Sequence, residues 1–181
     1  MDPLWLYIIV AVVAILLVAG IVVASVMLWR RQVRRSIIAL VGRREAVMAA
    51  YRGLESVFTS LAAADADELA AFATDATSVQ RRALEELHAR MRIQSEELVE
   101  LALPKRLWNA ADLLGTAAGV LAVETGRVGE AIGPEGVLDA LGEVDVAAIS
   151  AALLPANEEI DVQLAARDIG DPAVYGGGLY I

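Results

Sequence analysis

From Leu4 to Trp29 the chain runs for 26 residues without a charge, and only Gly20 and Ser25 interrupt a succession of Leu, Ile, Val, Ala, Met and aromatic side chains. As a helix this stretch is about 39 Å long, enough to cross roughly 30 Å of hydrocarbon with some tilt. Trp5 and Tyr7 lie near one end and Trp29 at the other, where amphipathic rings favour the headgroup level. The pattern predicts one transmembrane helix over residues 4–29. A cleaved signal peptide is the rival, with Val23-Ala24-Ser25 as its small-residue site. Such a peptide carries its positive charge ahead of a core of about 7 to 15 apolar residues, whereas here Asp2 precedes and the arginines follow a longer core.

The hydrophobic period then changes. Ile37, Arg44, Tyr51 and Phe58 share one heptad position, and Leu40, Val47, Leu54 and Leu61 fall three residues later. That places an apolar stripe on one face of a helix over almost four heptads, broken by Arg44, in continuation of the membrane helix. Arg44 in such a seam either fixes register or extends its stem over apolar neighbours to reach water. Residues 64–77, with Asp65, Asp67, Glu68 and Asp75, read as a connection holding at most one short helix. Thr77 followed by Gln80 resembles a capping box, so a second long helix is expected to begin near Ser78. It repeats the seam, with Leu84, Met91 and Leu98 on one position and Leu87, Gln94 and Leu101 on the other. Pro104 ends it, because proline removes an amide donor and restricts its predecessor.

A third helix is expected over residues 105–131, rich in Ala and Gly; its apolar run from Leu113 to Val123 is too short to span a bilayer. After Gly133-Pro134 the chain reads as two or three short helices near 135–142, 145–154 and 157–168, divided by Gly and Pro155. Residues 170–181, with Gly170-Asp171-Pro172 and Gly176-Gly177-Gly178, lack periodicity and read as a flexible tail. The expected organisation is therefore a short outer end (1–3), the span (4–29), a basic collar (30–35), a helical bundle or coiled-coil domain (36–131), short helices (132–169) and the tail (170–181). The 146 residues after Arg35 suffice for one domain with its own core. Thirty-four alanines and scarce proline make the class all-α.

Charge supplies direction. Arg30, Arg31, Arg34 and Arg35 follow the span directly, and short Arg-rich flanks stay in the cytoplasm, which puts the N-terminus outside and the domain at the cytoplasmic face of the inner (plasma) membrane. The same arginines suit anionic lipid headgroups. Residues 1–35 carry four Arg against one Asp, so the remainder carries −12 of the net −9. An acidic domain argues against nucleic acid as partner, since phosphates require a basic face. The absence of cysteine excludes disulfides, thiolate nucleophiles and Cys-based metal sites.

Candidate chemistry is thin. Glu85-Glu86-Leu87-His88 contains the Glu-x-x-His spacing of carboxylate-bridged di-metal bundles, making Glu85 and His88 the candidate metal pair. Such a site needs two copies, and His88 is the sole histidine. With Leu84 and Leu87 in the seam, both residues fall at flanking positions. Glu96, Glu97 and Glu100, like Glu158, Glu159 and Asp161, are carboxylates at helical spacing whose ordinary reading is a solvated acidic face. Gly126, Gly129, Gly133 and Gly136 lack the Gly-Lys-Ser/Thr ending of a nucleotide loop. Gly20 with Ala24, and Gly115 with Gly119, are small-x-x-x-small pairs that allow close helix approach if a partner is present. Leu179-Tyr180-Ile181 has the apolar-x-apolar form read by C-terminus-binding domains. No cofactor is implied. The expectation is a non-enzymatic, membrane-tethered scaffold or interaction module with the bilayer, a second copy or another membrane protein as partner.

Overall fold

The computed structural model describes residues 3–167, with the side chains of 3–11 and 14 outside the described set. The described residues are all-helical: α1 (Pro3–Ala62), α2 (Ala66–Thr74), α3 (Val79–Glu100), α4 (Trp108–Glu130), α5 (Gly133–Gly142) and α6 (Val146–Ala165), with a single 3₁₀ turn at Lys105–Leu107. The chain divides into two compact units, residues 1–36 and residues 37–181.

The first unit is the N-terminal part of α1. Every described side chain from Ile15 to Trp29 is exposed, the large apolar ones by 43 to 68%. Within the described residues it belongs to the one helix long and apolar enough to cross a membrane.

The second unit holds the core. On α1, Ile37, Leu40, Val47, Leu54 and Leu61 are buried as the heptad requires, and so are Val41, Ala50 and Val57, which lie beside the seam. The buried face is therefore wider than a two-stranded seam, because this helix meets neighbours on two sides. Against α3, Arg43 reaches Gln94 and Glu97, Gly53 lies against Leu87, and Gln80 donates to Ser60. Against α6, Arg44 meets Asp161 at 2.7 Å, Asn157 lies at 3.6 Å from Met48 Sδ, and Tyr51 pairs with Ser150 at 3.1 Å. Both sets of contacts descend one helix while climbing the other, so α3 and α6 run opposite to α1. Arg44, the break in the seam, is buried and stretches to the exposed Asp161 and to Glu45, so its stem packs while its charge is paired.

Twelve of the 23 residues of α4 are buried, most of them Ala, Gly or Leu. Small residues let a helix be approached closely from several sides, and α4 packs along α3 and along α6. At the end remote from Ile37, α2 and α5 pack on each other, and each carries a buried apolar side chain, Phe72 and Val137. The entry to α5 passes through Gly133 at φ +77°, a left-handed conformation that glycine adopts freely just ahead of Pro134.

Two local expectations are corrected. Ser78, not Thr77, caps α3, accepting from the Arg81 amide, while the Thr77 amide and hydroxyl both donate to Asp75 at 2.7 Å. The aspartate two residues earlier captures Thr77 in a local turn and leaves the next hydroxyl to cap the helix. Residues 145–168 do not break at Pro155 either: α6 runs straight through it. Ile149, Leu153, Ala156, Ile160 and Leu164 stay in helical phase across the proline and are all buried. Burial of the four large ones contributes about 1.5 to 3 kcal/mol each, against about 3 kcal/mol for an interior proline.

Candidate functional site

A groove lies between the outer edges of α3 and α4. One stretch of about 870 Å³ runs from Ser95 to the 101–108 connection, and another of about 420 Å³ runs from Ser95 to His88; both reach Gly119. The groove exists because α4 turns small residues toward α3. A Cβ on Gly115 would lie 3.6 Å from Leu98 Cβ, one on Gly119 3.4 Å from Ser95 Oγ, and one on Gly126 2.7 Å from His88 Nδ1. Polar ties hold the walls at this spacing. Ser95 Oγ donates to the Gly115 carbonyl at 3.1 Å, and His88 Nδ1 lies 2.8 Å from the Ala122 carbonyl. Since a carbonyl only accepts, this contact assigns the proton to Nδ1 and leaves Nε2 as the second ring nitrogen.

The two stretches differ in chemistry. Around His88 the walls carry Arg92, Glu96, Arg127 and Glu130, with Arg92 at 3.9 Å from Glu96 and Arg127 at 3.1 Å from Glu124. Toward the other end the lining is Leu98, Val99, Leu103 and Trp108 with Lys105 and Asp112 at the rim. Val99 is 82% exposed and Trp108 56%. Lys105 Nζ stands 5.9 Å from the Trp108 ring centre, and the indole Nε1 donates to the Leu103 carbonyl at 2.9 Å. The connection is thus an ordered turn presenting an indole face with a cation over it.

The candidate metal pair lies on one turn of α3. His88 is half-buried on the groove wall and bonded to Ala122, whereas Glu85 is exposed outside the groove lining. Among the described residues no group of three or more His, Asp or Glu is placed to hold a metal ion. The acidic runs are partly engaged: Glu97 with Arg43, Asp161 with Arg44, and Glu159 with Gln163. Leu84, Leu87, Met91 and Leu98 are buried, while Tyr51, Phe58 and Leu101 are half-buried. Arg30, Arg31, Arg34 and Arg35 are exposed on α1, as is Trp29; nothing lies within 4 Å of a Cβ built on Gly20, and Ala24 is exposed. The side chains of Trp5 and Tyr7, the outer end at Met1-Asp2 and the Leu179-Tyr180-Ile181 terminus lie outside the described residues.

Two charged residues escaped the sequence reading. Glu124 is buried on α4, where one carboxylate oxygen accepts the Asp145 amide at 2.9 Å and the other meets Arg127, while Asp145 caps α6 through the Ala148 amide. Arg81 is buried with its guanidinium 6.0 Å from the Phe72 ring centre, and its Nε has no hydrogen-bond partner. Neither sits in a spacing that marks it: Glu124 is tied to Asp145, 21 positions on, and Arg81 lies over Phe72 on a different helix. Asp75 is the described titrating group with a clear displacement: the Thr77 hydroxyl and amide hold its carboxyl below the usual value of 3.8.

No protein-family model matches the chain, and no curated protein or solved structure matches it.

Proposed function

We propose that this chain is a single-pass membrane protein whose helical domain serves as a tethered, non-enzymatic interaction module at the cytoplasmic face of the inner (plasma) membrane. The observation that carries the reading is the exposure of the apolar side chains from Ile15 to Trp29. A core helix of a soluble protein buries such residues. Here eleven large apolar side chains face outward, and at about 1.5 to 3 kcal/mol each their contact with water costs on the order of tens of kcal/mol. A bilayer removes that cost. The arginines at 30, 31, 34 and 35 support an orientation with the N-terminus outside.

The reading includes an antiparallel four-helix bundle formed by residues 37–62 of α1 with α3, α4 and α6, supported by the ties of Arg43, Arg44, Tyr51, His88 and Ser95 to neighbouring helices. The heptad faces at 37–61 and 84–101 thereby find partners inside one chain, so self-association, if it occurs, falls to Gly20 and Ala24 within the bilayer. An open groove of mixed polarity, whose histidine is bonded to a backbone carbonyl, supports recognition of a partner rather than chemistry on a substrate.

Membrane fractions washed at alkaline pH test the anchor: the chain is expected to stay in the pellet, with residues after Arg35 cut by protease only in inverted vesicles. Release into the wash, or a mature N-terminus beyond Ala24, overturns the reading.

A further inference from the structure

We propose that the connection from Leu101 to Trp108 is a second membrane contact, a lipid-surface site in which Leu103 and Trp108 enter the headgroup layer while Lys105 and Arg106 meet anionic headgroups. The inference rests on the reading of residues 4–29 as a bilayer span. Its structural basis lies within the second unit. Arg43 pairs with Glu97 and Arg44 with Asp161, so the C-terminus of α3 lies beside the start of this unit at Ile37. The connection follows directly and sits at that same end.

Tether length then matters. Eight peptide units separate Trp29 from Ile37, a tether that reaches at most about 28 Å when fully extended. The connection has the composition an interface selects: an exposed indole with its nitrogen satisfied by Leu103, a half-buried leucine and proline, and two exposed cations, one of them over the ring. Lys105 is the single lysine of the chain. The opposite end is unsuited. There the α1–α3 connection carries Asp65, Asp67, Glu68 and Asp75, and the 130–145 stretch carries five more carboxylates, which an anionic surface repels. The connection's own end also carries Glu100 and Asp112, offset by Lys105 and Arg106, so it is near neutral where the far end is strongly acidic; with the tether, that contrast favours a lipid surface over a peptide as the occupant.

The test uses the full chain in lipid vesicles with Trp108 as sole tryptophan (Trp5→Phe, Trp29→Phe), and a companion in which Trp29 alone remains. Emission is read against lipids carrying shallow nitroxide quenchers, in zwitterionic vesicles and in vesicles with roughly one-third phosphatidylglycerol. Trp108 is expected to lose about half its emission in the anionic vesicles, with the loss abolished by Lys105→Glu and by high salt. Quenching of Trp29 without quenching of Trp108 overturns the second contact and leaves the span standing. Equal quenching of Trp108 in both vesicle types overturns the role of anionic headgroups. Quenching of neither, with the chain washed off at alkaline pH, removes the span and this inference with it.

Discussion

Gly126→Ala is the most direct probe of how α3 and α4 are joined. In an exposed helix interior this change is favourable by up to about 1 kcal/mol, because glycine is the poorer helix former. Here the new methyl would stand 2.7 Å from His88 Nδ1 and 2.8 Å from Cε1, distances no real carbon contact holds. The imidazole has no free retreat, because its Nδ1 is bonded to the Ala122 carbonyl at 2.8 Å on the same helix. Either the ring leaves, losing a hydrogen bond of about 0.5 to 1.5 kcal/mol, or the helices part, with an overpacking cost of about 1 to 3 kcal/mol. Set against the propensity gain, the net is a loss of about 1 kcal/mol, and at most about 2, equivalent to a fall in Tm of about 3 °C for a domain of this size. Gly115→Ala is the matched control, since its methyl meets Leu98 Cβ at an ordinary 3.6 Å; it is expected to raise stability by up to about 1 kcal/mol. Urea titration of the detergent-solubilised chain followed by far-UV circular dichroism measures both. In a His88→Ala background the Gly126→Ala penalty should vanish and become a small gain. If Gly126→Ala stabilises as much as Gly115→Ala in the unaltered background, the close contact with His88 is refuted.

Arg44→Ala is expected to cost about 1 to 2 kcal/mol by chemical denaturation, through lost stem packing and an unpaired Asp161, whereas Arg44→Met should be nearly neutral because it keeps the stem in an apolar seam. Glu124→Ala leaves the Asp145 amide and Arg127 without their acceptor, and thermal melts should show a loss of about 1.5 to 3 kcal/mol, larger than for Glu85→Ala on the exposed face of α3. For Asp75 the sign follows from its lowered pKa: the group contributes stability above its unfolded value near 3.8, and this is lost as pH falls through the lower folded value. Asp75→Asn should therefore lower the denaturation midpoint at neutral pH, with the gap to the unaltered chain narrowing below pH 3.8 and closing under the lower folded value; a gap that does not narrow contradicts the turn with Thr77.

The sequence displayed elements whose signal is local and periodic. The uncharged run, the seam of Ile37 to Leu61 and that of Leu84 to Leu98 needed nothing beyond helical spacing. Where two local rules compete, it misled. Pro155 is a helix breaker in isolation, yet the phase of Ile149, Leu153, Ala156, Ile160 and Leu164 continues across it, and that phase was visible in the sequence. Thr77 and Ser78 both qualify as caps, and the choice is made by Asp75, which binds Thr77. The groove was illegible for another reason. Gly115 and Gly119 signalled a close partner without naming it, and Gly126 stood in a glycine-rich run with no sign of its contact, because the residues that press on them belong to α3, some 20 to 40 positions earlier. Contacts of that separation leave no periodic trace.

Helix α4 shows what this arrangement costs and what it permits. Gly115, Gly119, Gly126 and Gly129 all lie inside it, and each weakens a helix by about 1 kcal/mol relative to alanine. Steric need explains only Gly126, since alanine would fit at Gly115 and Gly119 with ordinary contacts, and nothing lies within 4 Å of a Cβ on Gly129. At Gly115 and Gly119, however, the missing side chains are what keeps the groove open beside Ser95. A side chain larger than alanine at Gly119 would enter the space between Trp108 and His88, and one at Gly115 would press on the buried Leu98. Helix propensity alone favours alanine at both positions, and a small residue at each leaves open the groove that joins the turn at Trp108 to the polar wall at His88 along one face of the domain.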